Sequence, residues 1–260
     1  MKFRLLQTGY NSAAHNMALD EAALEHIANG SSPPTLRFYG WSPPAISIGY
    51  FQSLEEEVDL AACKKYNIDF VRRITGGGAV FHEHEITYSI HIPEKIAGEL
   101  ALPMGILESY GKICGGILKG LVLLGLNAQF VPLNDIIIIQ NGTPKKISGN
   151  AQTRKKGIIL QHGTILLKVD VDKMFELLKV PDEKLKGKLI ENVKQRVTGL
   201  SQALGREIDF EEALAALKKG FSEEFSVAEF ELGELKESEK TLLEKLKMEK
   251  YGADEWNKRR

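Results

Sequence analysis

The spacing of apolar residues divides the chain into two β-rich blocks, with one helix before them, one between them and several after them. Apolar residues recur at intervals of three or four in residues 12–28 and 104–124, which predicts two amphipathic helices. Runs rich in β-branched and aromatic residues, bounded by turn signals, predict strands. These strands are expected at residues 35–39, 45–50, 69–73, 79–92, 128–131, 135–139, 145–151 and 158–167.

Turn and capping residues indicate how these segments are joined. The dipeptide Asn141-Gly142 predicts a tight hairpin. Residues 41–44 are expected to join a pair of strands. Asp209, with Glu212 three residues later, is typical of a helix start.

The order of the elements predicts the fold class. Helices predominate after residue 171, apart from a strand expected at residues 228–232. Strands in two blocks with helices between and after them favour an α+β fold of mixed β-sheets with packed helices. We expect a single domain over residues 1–260, whose helical part, roughly 171–260, packs on the sheet core.

Composition and charge exclude several classes of protein. Lys and Arg number 34 against 35 for Asp and Glu, a net charge of −1, so no overall field favours nucleic acid or a membrane as partner. No apolar run reaches the ~20 residues of a membrane-spanning helix, and no signal peptide is recognisable. Cys63 and Cys114 form no Cys-x-x-Cys pair, which argues against a disulfide framework. We expect a cytoplasmic protein.

The most informative segment combines two arginines with three consecutive glycines. It runs Arg72-Arg73-Ile74-Thr75-Gly76-Gly77-Gly78-Ala79-Val80-Phe81-His82. Consecutive glycines weaken regular structure and let backbone N–H groups approach an anion, to which arginines also donate. Two interpretations stay open here: an anion site, or a glycine turn between strands with surface arginines. His82, His84 and His91 are also close in sequence, but a fourth metal ligand is not evident.

A second set of polar residues lies in the second β-rich block. Asn134-Asp135 precedes a buried strand, Lys146 precedes a Ser-Gly corner, and His162-Gly163-Thr164 interrupts an apolar strand. Alone, each fits a structural role: a turn cap, a solvated lysine and a core histidine. Together with the triglycine segment they predict a cleft with an amine, a carboxylate and an anion seat. P-loop, dinucleotide and serine-hydrolase motifs are absent from the sequence.

Taken in order, these motifs resemble those of the lipoate-protein ligase and octanoyltransferase superfamily. The resemblance extends over nearly the whole chain and includes Lys146-Ile147-Ser148-Gly149-Asn150-Ala151 and His162-Gly163-Thr164-Ile165-Leu166. It implies a fold shared with biotin-protein ligases, a hydrophobic tunnel for an eight-carbon acyl chain, and a partner that bears an acceptor lysine. Such partners are lipoyl carrier domains, as in the glycine cleavage H protein and the acyltransferase component of 2-oxo-acid dehydrogenases.

Two branches of the superfamily compete for this chain. Ligases activate lipoate or octanoate with ATP to an acyl-AMP and pass the acyl group to the carrier lysine. One group of octanoyltransferases uses no ATP and takes octanoate from acyl carrier protein through a cysteine that precedes the lysine strand. Residues 130–144 contain no cysteine. We therefore expect a lipoate-protein ligase, with an octanoyltransferase as the alternative and a non-catalytic acyl- or carrier-binding protein as a second alternative.

Other features bear on this choice. Residues 149–157 and the run His82-Glu83-His84-Glu85 resemble the transferase branch, and a transferase that relies on lysine alone stays possible. Cys63 and Cys114 fall within predicted helices and are expected to be structural. The sequence ends at Arg260, where full-length bacterial ligases continue into an accessory domain, so a separate accessory subunit is a possible further partner.

The ligase interpretation assigns a role to each motif. Lys146, preferred to Lys145 because it occupies the Lys-x-Ser-Gly position, would contact the α-phosphate and the acyl carbonyl oxygen. Asp135 would hold Mg²⁺ or the nucleotide. ATP and Mg²⁺ would act as substrate and activator, lipoate would be the acyl substrate, and no tightly bound cofactor is expected. The other expected binding residues are Arg72, Arg73, Gly76, Gly77, Gly78, Ala79, His82, Asn134, Gly149, Ala151, His162, Gly163 and Thr164.

Overall fold

A computed structural model describes residues 1–179, 186–226 and 228–260. Strands alternate with helices in the first half of the chain, and helices predominate in the second. The strands are β1 (Lys2–Asn11), β2 (Thr35–Trp41), β3 (Ala45–Ile48), β4 (Asp69–Arg72), β5 (Val80–His82), β6 (Glu85–Pro93), β7 (Ala128–Val131), β8 (Asp135–Gln140), β9 (Thr143–Lys155), β10 (Ile158–Leu166) and β11 (Glu229–Leu232).

Side chains cap several of the helices at the positions that the sequence indicates. The Ser12 hydroxyl accepts a hydrogen bond from the His15 amide at the start of the first helix, and the Asp209 carboxylate accepts one from the Glu212 amide. The helices are α1 (Ala13–Ala28), α2 (Leu54–Glu57), α3 (Leu60–Tyr66), α4 (Ile106–Leu123), α5 (Val171–Leu177), α6 (Lys186–Arg196), α7 (Leu200–Leu204), α8 (Phe210–Glu224), α9 (Glu237–Leu246) and α10 (Asp254–Asn257).

The strands form two mixed sheets. The large sheet has the order β11-β1-β2-β6-β10-β9-β8-β7, in which β1 runs parallel to β11 and β2 while the other pairs are antiparallel. The small sheet has the order β4-β3-β5, with β3 parallel to β4 and antiparallel to β5. The predicted α+β fold with mixed sheets and packed helices is therefore confirmed.

Helices cover both faces of the large sheet. Helices α4 and α8 pack together on one face, where Tyr88, Ile117 and Phe221 belong to the largest hydrophobic cluster. Helix α1 contacts the strands β2, β6 and β10 on the other face. There the fully buried Arg37 of β2 donates to the Asp20 carboxylate of α1 at 2.8 Å. No helix in the described ranges is both long and apolar enough to cross a membrane.

Two predictions about strand connections are wrong. The strands β2 and β3 do not pair with each other, because the chain passes from the large sheet to the small one between them. Residues 79–92 are not one strand but two, β5 in the small sheet and β6 in the large one, separated at Glu83 and His84. The strands β2 and β6 are buried along their whole length, so the polar and apolar alternation of β6 marks no exposed face and does not reveal its partner.

The carboxyl-terminal region joins the rest of the chain through several contacts. The strand β11 pairs with β1 at the sheet edge, and α9 packs against α1. Residues 180–185 and Val227, which fall within the predicted helical part and beside its strand, lie outside the described residues. The single domain over residues 1–260 stays a prediction.

Candidate active site

A cavity of about 170 Å³, the central cavity, lies between the two sheets, close to the points where the chain crosses from one sheet to the other. Its floor is formed by buried side chains of α1 and β2, namely Met17, Tyr39 and Trp41. The predicted site residues that line it are Arg73, Gly77, Gly78, Ala79, His82, Asn134, Lys146, Gly149, Ala151, His162, Gly163 and Thr164. Separate sequence motifs thus meet at one place.

Two further cavities adjoin the central cavity. One, the side channel, has a volume of about 200 Å³ and runs between β5, the end of β10 and α5. The other, the open cavity, measures about 680 Å³ and is lined by Gly76 and Asp135 among others. Arg72 lines none of the three cavities.

The triglycine segment presents unused backbone donors. Within the described part of the chain, the N–H groups of residues 76–79 donate to no protein acceptor. Gly77 has φ +96°, a conformation that other residues rarely adopt. The backbone at Gly49 approaches this segment closely, since a Cβ atom added at Gly49 would lie 2.0 Å from the Gly77 carbonyl oxygen. The free amides form a seat for an anion or an oxyanion.

The Arg73 side chain holds this segment in place instead of facing a ligand. Its guanidinium is buried and donates to the carbonyl oxygens of Gly76 and Gly78, both at 2.8 Å. It also donates to the hydroxyl oxygens of Ser47 and Thr75 at 3.1 Å and to the Ser47 carbonyl oxygen at 3.0 Å. The expectation that Arg73 donates to a bound anion is corrected: its donors are already occupied.

Arg72 has a structural role elsewhere. Its guanidinium donates to the backbone carbonyl oxygens of Gln52 at 2.5 Å, of Asn257 at 2.9 Å and of Trp256 at 3.0 Å. It thereby ties the carboxyl-terminal segment to the loop after β3. The prediction that Arg72 belongs to the binding site is wrong, since the sequence does not show which carbonyl groups the guanidinium meets.

Lys146 is the residue that all three cavities share. Its amine lies 2.7 Å from an Asp135 carboxylate oxygen, and its side chain is 41% exposed, so a substrate can reach it. The neighbouring residue Lys145 lies on another side of β9 and lines a separate surface pocket with Asp170 and Lys194. The structure therefore favours Lys146 over Lys145 for a role at the cavity.

Paired asparagines fix the turn that carries Asp135. The Asn150 amide side chain donates to the Asn134 carbonyl oxygen at 2.9 Å, and the Asn134 side chain donates back to the Asn150 carbonyl oxygen. The Tyr88 hydroxyl donates to the Asn150 side-chain oxygen at 2.8 Å. Because Asn134 directly precedes Asp135, this network positions the carboxylate against Lys146.

His82 was predicted as a site residue, but the polar cluster to which it belongs was not. Its Nε2 lies 2.7 Å from the Ser47 hydroxyl, and its Nδ1 lies 2.7 Å from a Glu85 carboxylate oxygen. The ring stacks on Trp41 with centroids 4.0 Å apart, and the Trp41 indole donates to Thr87 at 2.8 Å. These contacts hold His82 as part of the cavity wall. The sequence signal for this cluster is the alternation of serine and threonine with apolar residues along β3 and β6.

His162 forms the opposite wall through a second buried network. Its Nε2 lies 2.7 Å from the Thr75 hydroxyl, and its Nδ1 lies 3.4 Å from an Asp20 carboxylate oxygen. Burial opposes the ionisation of Asp20, but the His162 hydrogen bond and the Arg37 charge prevail and hold the pKa of Asp20 well below its usual range. Burial lowers the pKa of His162. A neutral histidine thus faces the cavity.

Neither cysteine is placed to act as a nucleophile. Burial raises the pKa of Cys63 to about 11 and that of Cys114 to about 12. Cys63 lies in α3 and Cys114 in α4, and neither lines any of the three cavities. Both thiols are therefore protonated at neutral pH, in agreement with the structural role expected of them.

The residues around Asp135 do not fit a resident metal ion. No three His, Cys, Asp or Glu side chains within the described ranges lie close enough together to hold one. The Asp135 carboxylate is instead engaged by the Lys146 amine. His84 does not join His82, since it is exposed at the turn after β5.

Comparison with known proteins gives the family and corrects the expected function. Residues 12–222 match the family model described as the lipoyl protein ligase A/B catalytic domain. The octanoyltransferases LipM of Anoxybacillus flavithermus and Bacillus subtilis are 42% and 37% identical, over 99% of this chain and 98% of each relative. A solved structure from Thermoplasma acidophilum, described as that of a bi-partite lipoate protein ligase and its E2 lipoyl domain, is 34% identical with a TM-score of 0.86, over 99% of this chain and 96% of that one.

The names of the full-length relatives overturn the expectation that this chain is an ATP-dependent lipoate-protein ligase. That expectation rested on the missing cysteine in residues 130–144, a feature that did not decide the branch. The resemblance to the superfamily is confirmed, as is the fold that it implies for lipoate-protein ligases. The chain belongs to the family of the lipoyl protein ligase A/B catalytic domain.

Proposed function

We propose that the chain is an octanoyltransferase, which moves an octanoyl group from a carrier thioester to the lysine of a lipoyl carrier domain without ATP. The observation that carries this proposal is the position of Lys146 in the wall of the central cavity, which the unused amides of residues 77–79 also line. The relatives named octanoyltransferase support the choice of reaction.

The central cavity accepts the acyl chain. Its floor of Met17, Tyr39 and Trp41 is buried and largely apolar, so it suits a hydrocarbon. A dry cavity of about 150 Å³ accommodates a molecule the size of benzene. The volume of about 170 Å³ found here is of the same order as a short acyl chain needs.

The carbonyl group of the thioester lies beside Lys146. When an amine attacks this carbonyl, negative charge develops on its oxygen. The Lys146 ammonium and the free amides of residues 76–79 are fixed donors for that charge, and such preorganised donors are the largest contribution in many acyl transfers. Asp135 keeps the amine oriented from the other side.

The acyl group moves to the acceptor in one displacement. The lysine amine of the carrier domain attacks the carbonyl carbon, the C–N bond forms, and the C–S bond breaks. The sulfur leaves as a thiolate and takes up the proton that the amine loses. No acyl-enzyme is needed, in keeping with the burial and raised pKa of Cys63 and Cys114.

The acceptor is a lipoyl carrier domain, such as those of the glycine cleavage H protein or the 2-oxo-acid dehydrogenases. The structural neighbour from Thermoplasma acidophilum is described together with its E2 lipoyl domain as part of a lipoylation system. Exposed apolar side chains rim the open cavity here: Ile106 is 66% exposed, Leu107 41% and Leu133 75%. Such a patch is typical of a surface that another protein covers.

The test is mass spectrometry of a purified apo lipoyl domain incubated with the chain. We expect a mass increase of one octanoyl group with octanoyl-acyl carrier protein in the absence of ATP. Lys146→Met should lower the rate by about 10²–10³-fold, whereas Lys145→Met, its neighbour on another side of the strand, should not. Modification only in a tube with free octanoate or lipoate and ATP would refute the proposal.

A further inference from the structure

Arg73 connects two buried networks that have the same form. In each, a hydroxyl oxygen lies 2.7 Å from the Nε2 atom of a histidine, and the Nδ1 atom of that histidine faces a carboxylate. The Arg73 guanidinium donates to both hydroxyl oxygens at 3.1 Å. The serine network consists of Ser47, His82 and Glu85, and the threonine network consists of Thr75, His162 and Asp20.

The arginine fixes where the protons of these networks lie. A guanidinium can only donate, so each hydroxyl oxygen accepts from Arg73 and has its own proton left for the histidine Nε2 atom. The ring proton is then on Nδ1, from which it is donated to the carboxylate. With a proton on Nε2 of His82 instead, the Ser47 hydroxyl proton would have no acceptor within the described ranges. The resting serine network therefore contains a neutral histidine.

The two carboxylates differ in what neutralises their charge. Asp20 forms an ion pair with the buried guanidinium of Arg37 at 2.8 Å. Glu85 is only 1% exposed, and in the described part of the chain it pairs with no lysine or arginine. Its Oε1 atom accepts from Thr87 at 2.6 Å and from His82 at 2.7 Å. Since a buried charge requires a partner, a proton that arrives on His82 supplies the positive charge that Glu85 lacks.

The threonine network is less suited to take up a proton. The contact between His162 and Asp20 is 3.4 Å long, and Arg37 already neutralises the carboxylate. Burial lowers the pKa of His162, which keeps the ring neutral. Thr75 is fully buried and does not line the central cavity, whereas Ser47 does. Only the serine network thus places its hydroxyl where a substrate group can reach it.

Ser47 lies in the wall of the central cavity, as do Lys146 and the residues 77–79 with their free amides. The guanidinium that donates to the Ser47 hydroxyl also donates to the Gly78 carbonyl oxygen, so one side chain, that of Arg73, fixes the serine against the amide segment. The hydroxyl oxygen uses one lone pair for this bond and keeps the second for a group in the cavity. The cavity wall therefore combines donors for a carbonyl oxygen with an acceptor for a proton.

We propose that the serine network is the proton relay of the octanoyl transfer, in which Ser47 contacts the reacting amine and His82 takes up its proton. This inference rests on the proposed function and adds how the proton moves. Once the amine has attacked, its surplus proton passes to the Ser47 oxygen while the Ser47 proton passes to Nε2 of His82. The C–S bond then breaks, and the reverse movement protonates the thiolate. Glu85 and Arg73 act as positioning residues.

The first test examines the resting protein and needs no turnover. In nitrogen NMR spectra of isotopically labelled protein, His82, assigned from the signals lost in His82→Gln, should be neutral with its proton on Nδ1. Glu85→Gln should shift the Nδ1 resonance, whereas Glu83→Gln, a control on the adjacent turn whose carboxylate pairs with Lys173, should not. A proton on Nε2, or a charged ring at neutral pH, in the unaltered protein would overturn the proposal.

The second test follows the transfer reaction. Glu85→Gln preserves the size of the side chain but removes its charge, and it should lower kcat by roughly 10²–10³-fold while the KM for the octanoyl donor changes little. Ser47→Ala should lower kcat by a similar factor, and Glu83→Gln should retain the rate. An effect confined to KM, or an unchanged kcat in Ser47→Ala, would overturn the relay. So would an octanoyl ester on Ser47 in the mass spectrum of the quenched enzyme, since the hydroxyl would then be a nucleophile.

Chemical rescue separates proton transfer from a purely structural role of His82. Its ring stacks on Trp41 with centroids 4.0 Å apart, so His82→Ala leaves a gap of ring size beside the indole. Added imidazole should raise the rate of this variant on the order of tenfold. Pyrazole, a ring of the same size but a much weaker base, should not. Rescue by both compounds, or by neither in a folded variant, would overturn the relay.

The outcomes for the relay and for the proposed function are distinguishable. Absence of any octanoyl transfer by the unaltered protein would refute the proposed function. The NMR spectra would still decide whether the proton of His82 lies on Nδ1, because that measurement involves no substrate.

Discussion

Replacing Arg73 separates the structural role found here from an anion-binding role. Arg73→Met removes five hydrogen bonds, two of them to the carbonyl oxygens of Gly76 and Gly78. Those two carbonyls belong to a partly exposed segment and can turn to water. The other three bonds end on Ser47 and Thr75, which are 2% and 0% exposed, so water does not replace them readily.

These contacts set the expected magnitude. Each buried polar atom left without its partner costs about 1 kcal/mol or more, so Arg73→Met should lower the free energy of unfolding by roughly 3–4 kcal/mol. For a chain of this size that corresponds to a fall in Tm of roughly 6–16 °C. Arg73→Lys keeps the charge but not the planar fork, and we expect an intermediate loss.

The assay is urea unfolding followed by the fluorescence of the two tryptophans, in parallel with the rate of octanoyl transfer. Arg206→Met is the matched control, since Arg206 pairs with Glu212 at the surface. The free energy of unfolding should fall for Arg73→Met and stay constant for the control. An unchanged stability together with a higher KM for the octanoyl donor would refute this reasoning and restore Arg73 as a ligand for the substrate.

Three further predictions follow from the same contacts. The pKa of Asp20 is lowered in the folded protein, so its ionisation stabilises the fold above its ordinary pKa, and this stabilisation is lost as the pH falls. Asp20→Asn should therefore flatten the decline in the free energy of unfolding below about pH 5. Parallel curves for the two proteins would contradict this. Cys63→Ala combined with Cys114→Ala should keep octanoyl transfer within about twofold, and a folded but inactive double variant would exclude direct displacement. Gly49→Ala places a methyl group 2.0 Å from the Gly77 carbonyl oxygen, which should cost about 1–3 kcal/mol and slow transfer; wild-type unfolding and rate would show that the segment adapts.

The sequence predicts those parts of the fold that depend on local signals. The helices α1 and α4, the strand β10 and the hairpin at Asn141-Gly142 lie where they were expected, and both hairpin residues have the positive φ values, 51° and 76°, that this turn requires. The change of sheet between β2 and β3 has no local signal. Pairing partners are set by burial from both faces, which requires knowledge of the whole arrangement.

The residues of the candidate site are likewise predictable from the sequence only where they belong to local motifs. Residues within the contiguous glycine, lysine and histidine motifs line the cavities because their backbone forms the walls. Met17, Tyr39 and Trp41 were not predicted, since an apolar residue that lines a cavity resembles one in the core. Arg72 was misassigned because a guanidinium that binds backbone carbonyls and one that binds an anion have the same sequence signature.

The most direct test of the account is a crystal structure of the chain with a ketone analogue of octanoyl-pantetheine, in which a methylene group replaces the sulfur. We predict that the carbonyl oxygen lies ~3 Å from the Lys146 amine and from an N–H group of residues 76–79, with the octyl chain in the central cavity. A carbonyl group bound away from Lys146, or an octyl chain outside the central cavity, would contradict it.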